Sequence, residues 1–211
     1  MMGLNGTGKT TLMHTVLNQQ PLLSGHIWLS GETHTHARSR QHLAYLPENF
    51  IPPLEWSADD FLRSALTLYG TDYPKERVEH TLYHLLGHPF RTRCTPLAQA
   101  SKGMRQHVAL LSLFLSGRKL WILDEPLNGL DWRARCWAYE QMQEHLNNGG
   151  SIWLTSHDLT GLTTLTPRWG LLHDSTWTEF GVLTDIHIAT KQLDAAIRPT
   201  QIRSLSPSST L

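Results

Sequence analysis

Cysteine is scarce in this chain: Cys94 and Cys136 are the only two among 211 residues, and they lie far apart in sequence. A disulfide framework is therefore not expected, and the reducing cytosol is the default compartment. An excess of charge of one sign is also missing. Lysine plus arginine and aspartate plus glutamate each total 18. With no net charge, no broad basic surface for nucleic acid is expected. Long hydrophobic runs are absent too. The longest, around Val108 to Leu115, is interrupted by Ser112 and is far too short to span a bilayer. No basic and apolar leader ending in small residues opens the sequence, so the expectation is a soluble chain without a secretion signal. Histidine is plentiful at 13, but without repeated metal-ligand spacing it reads as surface histidine rather than a metal site.

What is present is enough apolar material for a core. Hydrophobic residues make up 40% and charged residues 17%, which suits one sizeable globular domain with a small subdomain. The apolar spacing of Leu12, Met13, Val16 and Leu17 predicts a helix from Lys9 to about Asn18. Short strands are expected at His26–Leu29 and Leu43–Leu46. Past Ile51-Pro52-Pro53 the next forty residues read as a helical insert. One apolar stripe there is Phe61, Leu62, Ala65, Leu66 and Leu68; the other is Val78, Leu82, Leu85 and Leu86. A helix at about 102–115, a strand at 120–123, a helix at 132–147, a strand at 152–155 and a hairpin around Asp174-Ser175 follow. Strands alternating with helices imply an α/β fold with a mainly parallel sheet. After Gly181 the rhythm fades, and the serine-rich end, Ser204–Thr210, reads as disordered.

Two stretches carry chemistry. Gly3-Leu4-Asn5-Gly6-Thr7-Gly8-Lys9-Thr10 matches G-x-x-x-x-G-K-[ST] at every specified position. Glycines let consecutive amides converge on phosphate, and the following helix adds its positive N-terminal end. Lys9 would then bridge the β- and γ-phosphates, and the Thr10 hydroxyl would ligate Mg²⁺. The apolar strand Leu120–Leu123 ends in Asp124-Glu125, where Asp124 would hold Mg²⁺ and Glu125 would orient the attacking water. His157, in Thr155-Ser156-His157-Asp158, can donate to a γ-phosphate, though a strand-end histidine is as readily a surface residue.

In order and separation these segments resemble the ABC (ATP-binding cassette) ATPases over about residues 3 to 180. Gly3 to Thr11 looks like their Walker A loop, with Asn5, Gly6 and Thr11 joining the nucleotide-binding set. Ala100-Ser101-Lys102-Gly103-Met104-Arg105-Gln106 resembles the LSGGQ signature in its LSKGMRQ form. Leu120–Pro126 resembles Walker B, Leu127–Asp131 the D-loop, and His157 the switch histidine. The resemblance implies a P-loop NTPase (RecA-like) core, residues 1–52 and 118–180, with a helical signature subdomain at 53–117 and a C-terminal extension at 181–211. It further implies an enzyme that hydrolyses ATP with Mg²⁺. Two such modules would sandwich ATP, each presenting Ser101, Gly103 and Gln106 to the other's nucleotide, with Asp131 coupling the sites. The helical insert would dock a transmembrane permease, placing the chain on the inner face of the cell membrane.

Departures from the family pattern are few. Ala100 replaces leucine, and Glu48 stands where the family has its Q-loop glutamine; a carboxylate there can still reach Mg²⁺ or its water. Only Met1 and Met2 precede Gly3, so the family's strand ahead of the loop, and its adenine-stacking aromatic, are expected to be missing from this chain. The first functional reading is the ATPase subunit of an exporter. The alternatives are a soluble non-transport ABC ATPase, which usually has two cassettes or long coiled-coil insertions, and an inactive truncated fragment.

Overall fold

The computed structural model of the chain describes residues 1–4, 6–86, 95–157, 159–165 and 167–203. Asn5, Cys94, Asp158 and the serine-rich end, all singled out above, lie outside the described residues. Two compact units form, one from Thr10–Thr155 and the other from Met1–Lys9 with the chain from Ser156 on.

The larger unit is entered through helix α1 (Lys9–Val16), whose Met13 is wholly buried. A two-residue antiparallel pair follows, β1 (Trp28–Leu29) with β2 (Glu32–Thr33). Strand β3 (Leu43–Leu46) alternates half-buried and buried residues. Helix α2 (Ala58–Tyr69) starts at a capping box, in which Ser57 Oγ accepts from the Asp60 N–H while the Asp60 carboxylate takes the Ser57 N–H. It stops at Gly70, whose φ of 69° is the left-handed turn that ends many helices. Helix α3 is Lys75–Leu86 and helix α4 Lys102–Phe114.

Together these three helices bury one apolar cluster, built from Leu62 and Leu66 of α2, Val78 and Leu82 of α3, and Val108 and Leu111 of α4. Each such side chain contributes about 1.5–3 kcal/mol when taken fully from water. Leu68, expected on the same stripe, is exposed instead. It falls on the Phe61 edge of α2, and the cover stops there.

Strand β4 (Leu120–Leu123), helix α5 (Trp132–Asn147) and strand β5 (Ser151–Leu154) complete this unit. Strands β3, β4 and β5 form a parallel sheet in that order, with Leu46 opposite Leu123 and Leu123 opposite Leu154. Pairing continues one step beyond the strands. The Asp124 N–H donates to Leu46 O at 2.9 Å, and the Thr155 N–H donates to Leu123 O at 2.9 Å. That extra step brings Asp124 and Thr155 side by side. Helix α5 begins where Asp131 Oδ1 accepts the Ala134 N–H, and its His145 ring stacks on Trp121 of β4 at 3.6 Å.

In the other unit, Met2 makes an isolated parallel bridge to Leu171: its N–H donates to Gly170 O, and its carbonyl accepts from the Leu172 N–H, both at 2.8 Å. The residues ahead of the glycine-rich loop thus do take up sheet pairing. Strands β6 (Arg168–His173) and β7 (Thr176–Val182) form the expected hairpin, with Asp174 and Ser175 both at positive φ, as tight two-residue hairpin turns require. Helix α6 (Ile186–Arg203) occupies sequence that showed no clear rhythm; Asp185 Oδ1 accepts the His187 and Ile188 N–H groups at its start. Among the described residues no helix is long and apolar enough to cross a membrane.

Candidate functional site

The glycine-rich loop lies in the smaller unit. A Cβ on Gly3 would come within 2.6 Å of both Leu172 O and Thr7 Oγ1, so only glycine fits against β6 there. At Gly8 the backbone turns with φ 96°, which delivers the chain into α1. Lys9 is buried at 7% exposure, and its Nζ donates to Gly3 O at 2.7 Å and Leu4 O at 3.1 Å. The ammonium therefore curls back over the loop it follows. Glycine-rich turns running into a helix N-terminus suit anions, and the Lys9 ammonium adds positive charge beside this one. Gly6 is exposed, with φ 81°, and Thr11 is exposed on α1; Asn5 lies outside the described residues.

The larger unit holds the carboxylates. Asp124 is 1% exposed, and a hydroxyl donates to each of its oxygens: Thr10 Oγ1 to Oδ2 at 2.7 Å, and Thr155 Oγ1 to Oδ1 at 2.5 Å. Thr155 is wholly buried and also accepts the Glu125 N–H at 2.9 Å. Glu125 itself takes φ 47°, a left-handed conformation that a residue with a side chain adopts only under constraint. The strain sits at the second carboxylate of the pair. Tyr45 lies near, its phenol pushed up to about 12 by burial first and by the Asp124 charge second, so it stays protonated and bonds His14 Nε2 at 3.2 Å.

These donors fit a hard divalent cation. Hydroxyl and carboxylate oxygens are the ligand type Mg²⁺ takes, and two neighbouring ligands in its octahedron stand about 3 Å apart. Thr10 Oγ1 and Asp124 Oδ2 already stand 2.7 Å apart. Glu48 is exposed beyond β3 and makes no hydrogen bond to either.

The signature segment opens α4. Ser101 Oγ accepts the Met104 N–H at 3.1 Å as the N-cap. Space for a Cβ on Gly103 is closed to 3.0 Å by Gly129 O, so this turn lies against the Leu127–Asp131 turn. Gln106 is buried, and its Nε2 donates to Pro126 O at 3.1 Å, a tie between α4 and the chain leaving β4. The next residue, His107, is 5% exposed with neither ring nitrogen bonded, and burial holds its basicity below the ordinary value. His157 is exposed after β5, in the unit that holds the loop.

Sequence reasoning missed Thr155 as a partner of the Asp124 carboxylate and the Glu125 backbone N–H, because its role follows from the β4–β5 register. It also missed that Gln106 is committed inside the unit, for which its place in a ligand-like motif gave no hint.

Known proteins share this pattern. Residues 1–128 match the family model described as ABC transporter. The cytochrome c biogenesis ATP-binding export protein CcmA of Vibrio vulnificus (strain YJ016) is 36% identical over 157 residues, 74% of this chain and 76% of that protein. The ABC-type transporter ATP-binding protein EcsA of Bacillus subtilis (strain 168) is 30% identical over 202 residues, 93% of this chain and 81% of that protein. A solved structure described as the ATP binding subunit of an ABC transporter superposes with a TM-score of 0.74 at 29% identity, covering 92% of this chain and 85% of that one. With its P-loop fold and these relatives, the chain belongs to the ABC transporter family as an ATP-binding subunit that hydrolyses ATP.

Proposed function

We propose that this subunit drives an exporter, coupling ATP-dependent closure of two such modules to a separate membrane permease. The observation that carries the chemistry is the clasp on Asp124, with its two hydroxyl partners and the constrained Glu125 beside it. Gly3, Asn5, Gly6, Gly8, Lys9 and Thr11 would enclose the phosphates, with Lys9 reaching the β- and γ-groups. Thr10 and Asp124 would hold Mg²⁺, and Glu48 would reach its water shell. The metal would offset phosphate charge, and the protein groups would do the positioning. Glu125 would accept a hydrogen bond from the attacking water as it adds to the γ-phosphorus and the bond to the ADP oxygen breaks. His157 would contact the γ-phosphate.

Ser101 and Gly103 lie at the start of α4, exposed or partly so, and support nucleotide contact from a second module. Gln106 would act there indirectly, by fixing α4 to Pro126. The proposed division keeps 1–52 and 118–180 as the nucleotide core and 53–117 as the subdomain that docks the permease on the inner face of the membrane. Export is supported by the likeness to CcmA, whose name describes an export protein. No nucleic-acid partner is proposed for a chain with zero net charge.

Assembly gives the test. Glu125→Gln protein should become dimeric by light scattering in Mg-ATP and remain monomeric without nucleotide. A monomer at saturating Mg-ATP, from a protein shown to be folded, would contradict the two-module reading.

A further inference from the structure

Thr155 stands just past the end of β5, two residues before His157, and is not one of the residues assigned to nucleotide, metal or attacking water. Its hydroxyl is nonetheless placed between the two residues that do the most. Its proton goes to Asp124 Oδ1 at 2.5 Å, and its lone pair takes the Glu125 N–H at 2.9 Å. The backbone fixes where that hydroxyl stands, since the Thr155 N–H continues the β4–β5 ladder to Leu123 O at 2.9 Å. At 0% exposure the hydroxyl is out of reach of bulk water. A hydroxyl has one proton, and here it is committed to Asp124, so the oxygen facing the Glu125 N–H can only accept.

We infer that Thr155 is a positioning residue for ATP hydrolysis: its hydroxyl holds the Glu125 backbone in the left-handed conformation that aims the Glu125 carboxylate, and fixes the Asp124 carboxylate in the same bond network. Glu125 at φ 47° adopts a backbone state that residues with a Cβ disfavour, and its N–H donates to the buried Thr155 hydroxyl. Valine matches threonine in shape but cannot accept or donate. In Thr155→Val the Glu125 N–H loses the Thr155 hydroxyl, the backbone relaxes and the carboxylate swings away from the water it orients. A displacement of about 1 Å at such a group costs on the order of a hundredfold in rate. Serine keeps the hydroxyl and the ladder position.

The inference rests on Glu125 orienting the water, and the test separates the two. Parent, Thr155→Val, Thr155→Ser, Glu125→Gln and the double variant Thr155→Val/Glu125→Gln are compared in steady-state ATPase assays. Equilibrium ATP binding over a Mg²⁺ titration is measured alongside. Thr155→Val should lose tenfold or more in kcat with KM for ATP within about threefold, as expected for an interaction used after binding. Half-saturation of Mg²⁺-dependent ATP binding should move to higher Mg²⁺. Thr155→Ser should regain most of kcat. In the Glu125→Gln background the valine change should remove little further activity, because it acts through Glu125. Thr155→Val at parental kcat beside an inactive Glu125→Gln overturns the inference alone; a fully active Glu125→Gln removes the reading beneath it. If the valine variant does not fold, serine decides: loss of kcat in Thr155→Ser also overturns the inference, and its retention supports it.

Discussion

Thr10 Oγ1 donates to Asp124 Oδ2 at 2.7 Å, linking the first turn of α1 to the end of β4 across more than half the chain. This spacing suits two ligands of one Mg²⁺, so the pair would need little rearrangement to bind. Thr10→Val should weaken ATP binding in Mg²⁺ by about tenfold or more, the loss of one hydrogen bond involving a charged group. Binding in EDTA should change far less. Titration calorimetry with and without the metal checks the difference.

Two serines cap helices in the same way, and only one is assigned to nucleotide. Ser57 caps α2 and Ser101 caps α4. Replacing either by alanine should cost about 1 kcal/mol of stability, the usual worth of a cap. Ser101→Ala should also lose ATPase activity and ATP-driven dimerisation, whereas Ser57→Ala should retain both. Urea melts and turnover assays on the two variants distinguish a cap from a cap with a ligand.

His107 makes stability depend on pH. Burial lowers its basicity from the ordinary 6.5, with Asp131 opposing more weakly, and burial lowers His145 likewise. The folded chain thus binds these protons less readily than the unfolded chain. Their contribution is fully present above pH 6.5 and is lost as pH falls through the folded values; for His107 the slope is at most about 1.4 kcal/mol per pH unit, and for the more exposed His145 solvent screening makes it smaller. His107→Leu should flatten this dependence. At pH 7.5 it should leave stability unchanged or raise it by about 1–2 kcal/mol, because two unbonded ring nitrogens leave the interior. Urea denaturation from pH 7.5 to 5.5 measures both effects.

Local signals were legible wherever one residue's chemistry decided the outcome. Helix α5 covers the 132–147 expected of it, with Asp131 as its N-cap and Asn148 as its C-cap. Leu120–Leu123, a short apolar run before two carboxylates, is β4 as expected. Helix α6 was not read, although Asp185 was available as its cap, because the segment carries a weak apolar pattern and includes Pro199. Thr155 and Gln106 were opaque for another reason. Each acts on a residue distant in sequence, Asp124 and Pro126, through sheet register and helix packing that no local pattern encodes. Leu68 shows the converse, an apolar residue at helical spacing that is left exposed while Phe61, two turns earlier, is buried.

The proposed role of Glu125, held beside Asp124 at the end of β4, is to orient the water that cleaves ATP. The most direct measurement is the steady-state ATPase rate of purified Glu125→Gln beside its equilibrium affinity for ATP. Hydrolysis should fall on the order of a hundredfold or more, as for removal of a catalytic base, with ATP affinity unchanged within about threefold. Turnover within twofold of the parent protein would take Glu125 out of the reaction.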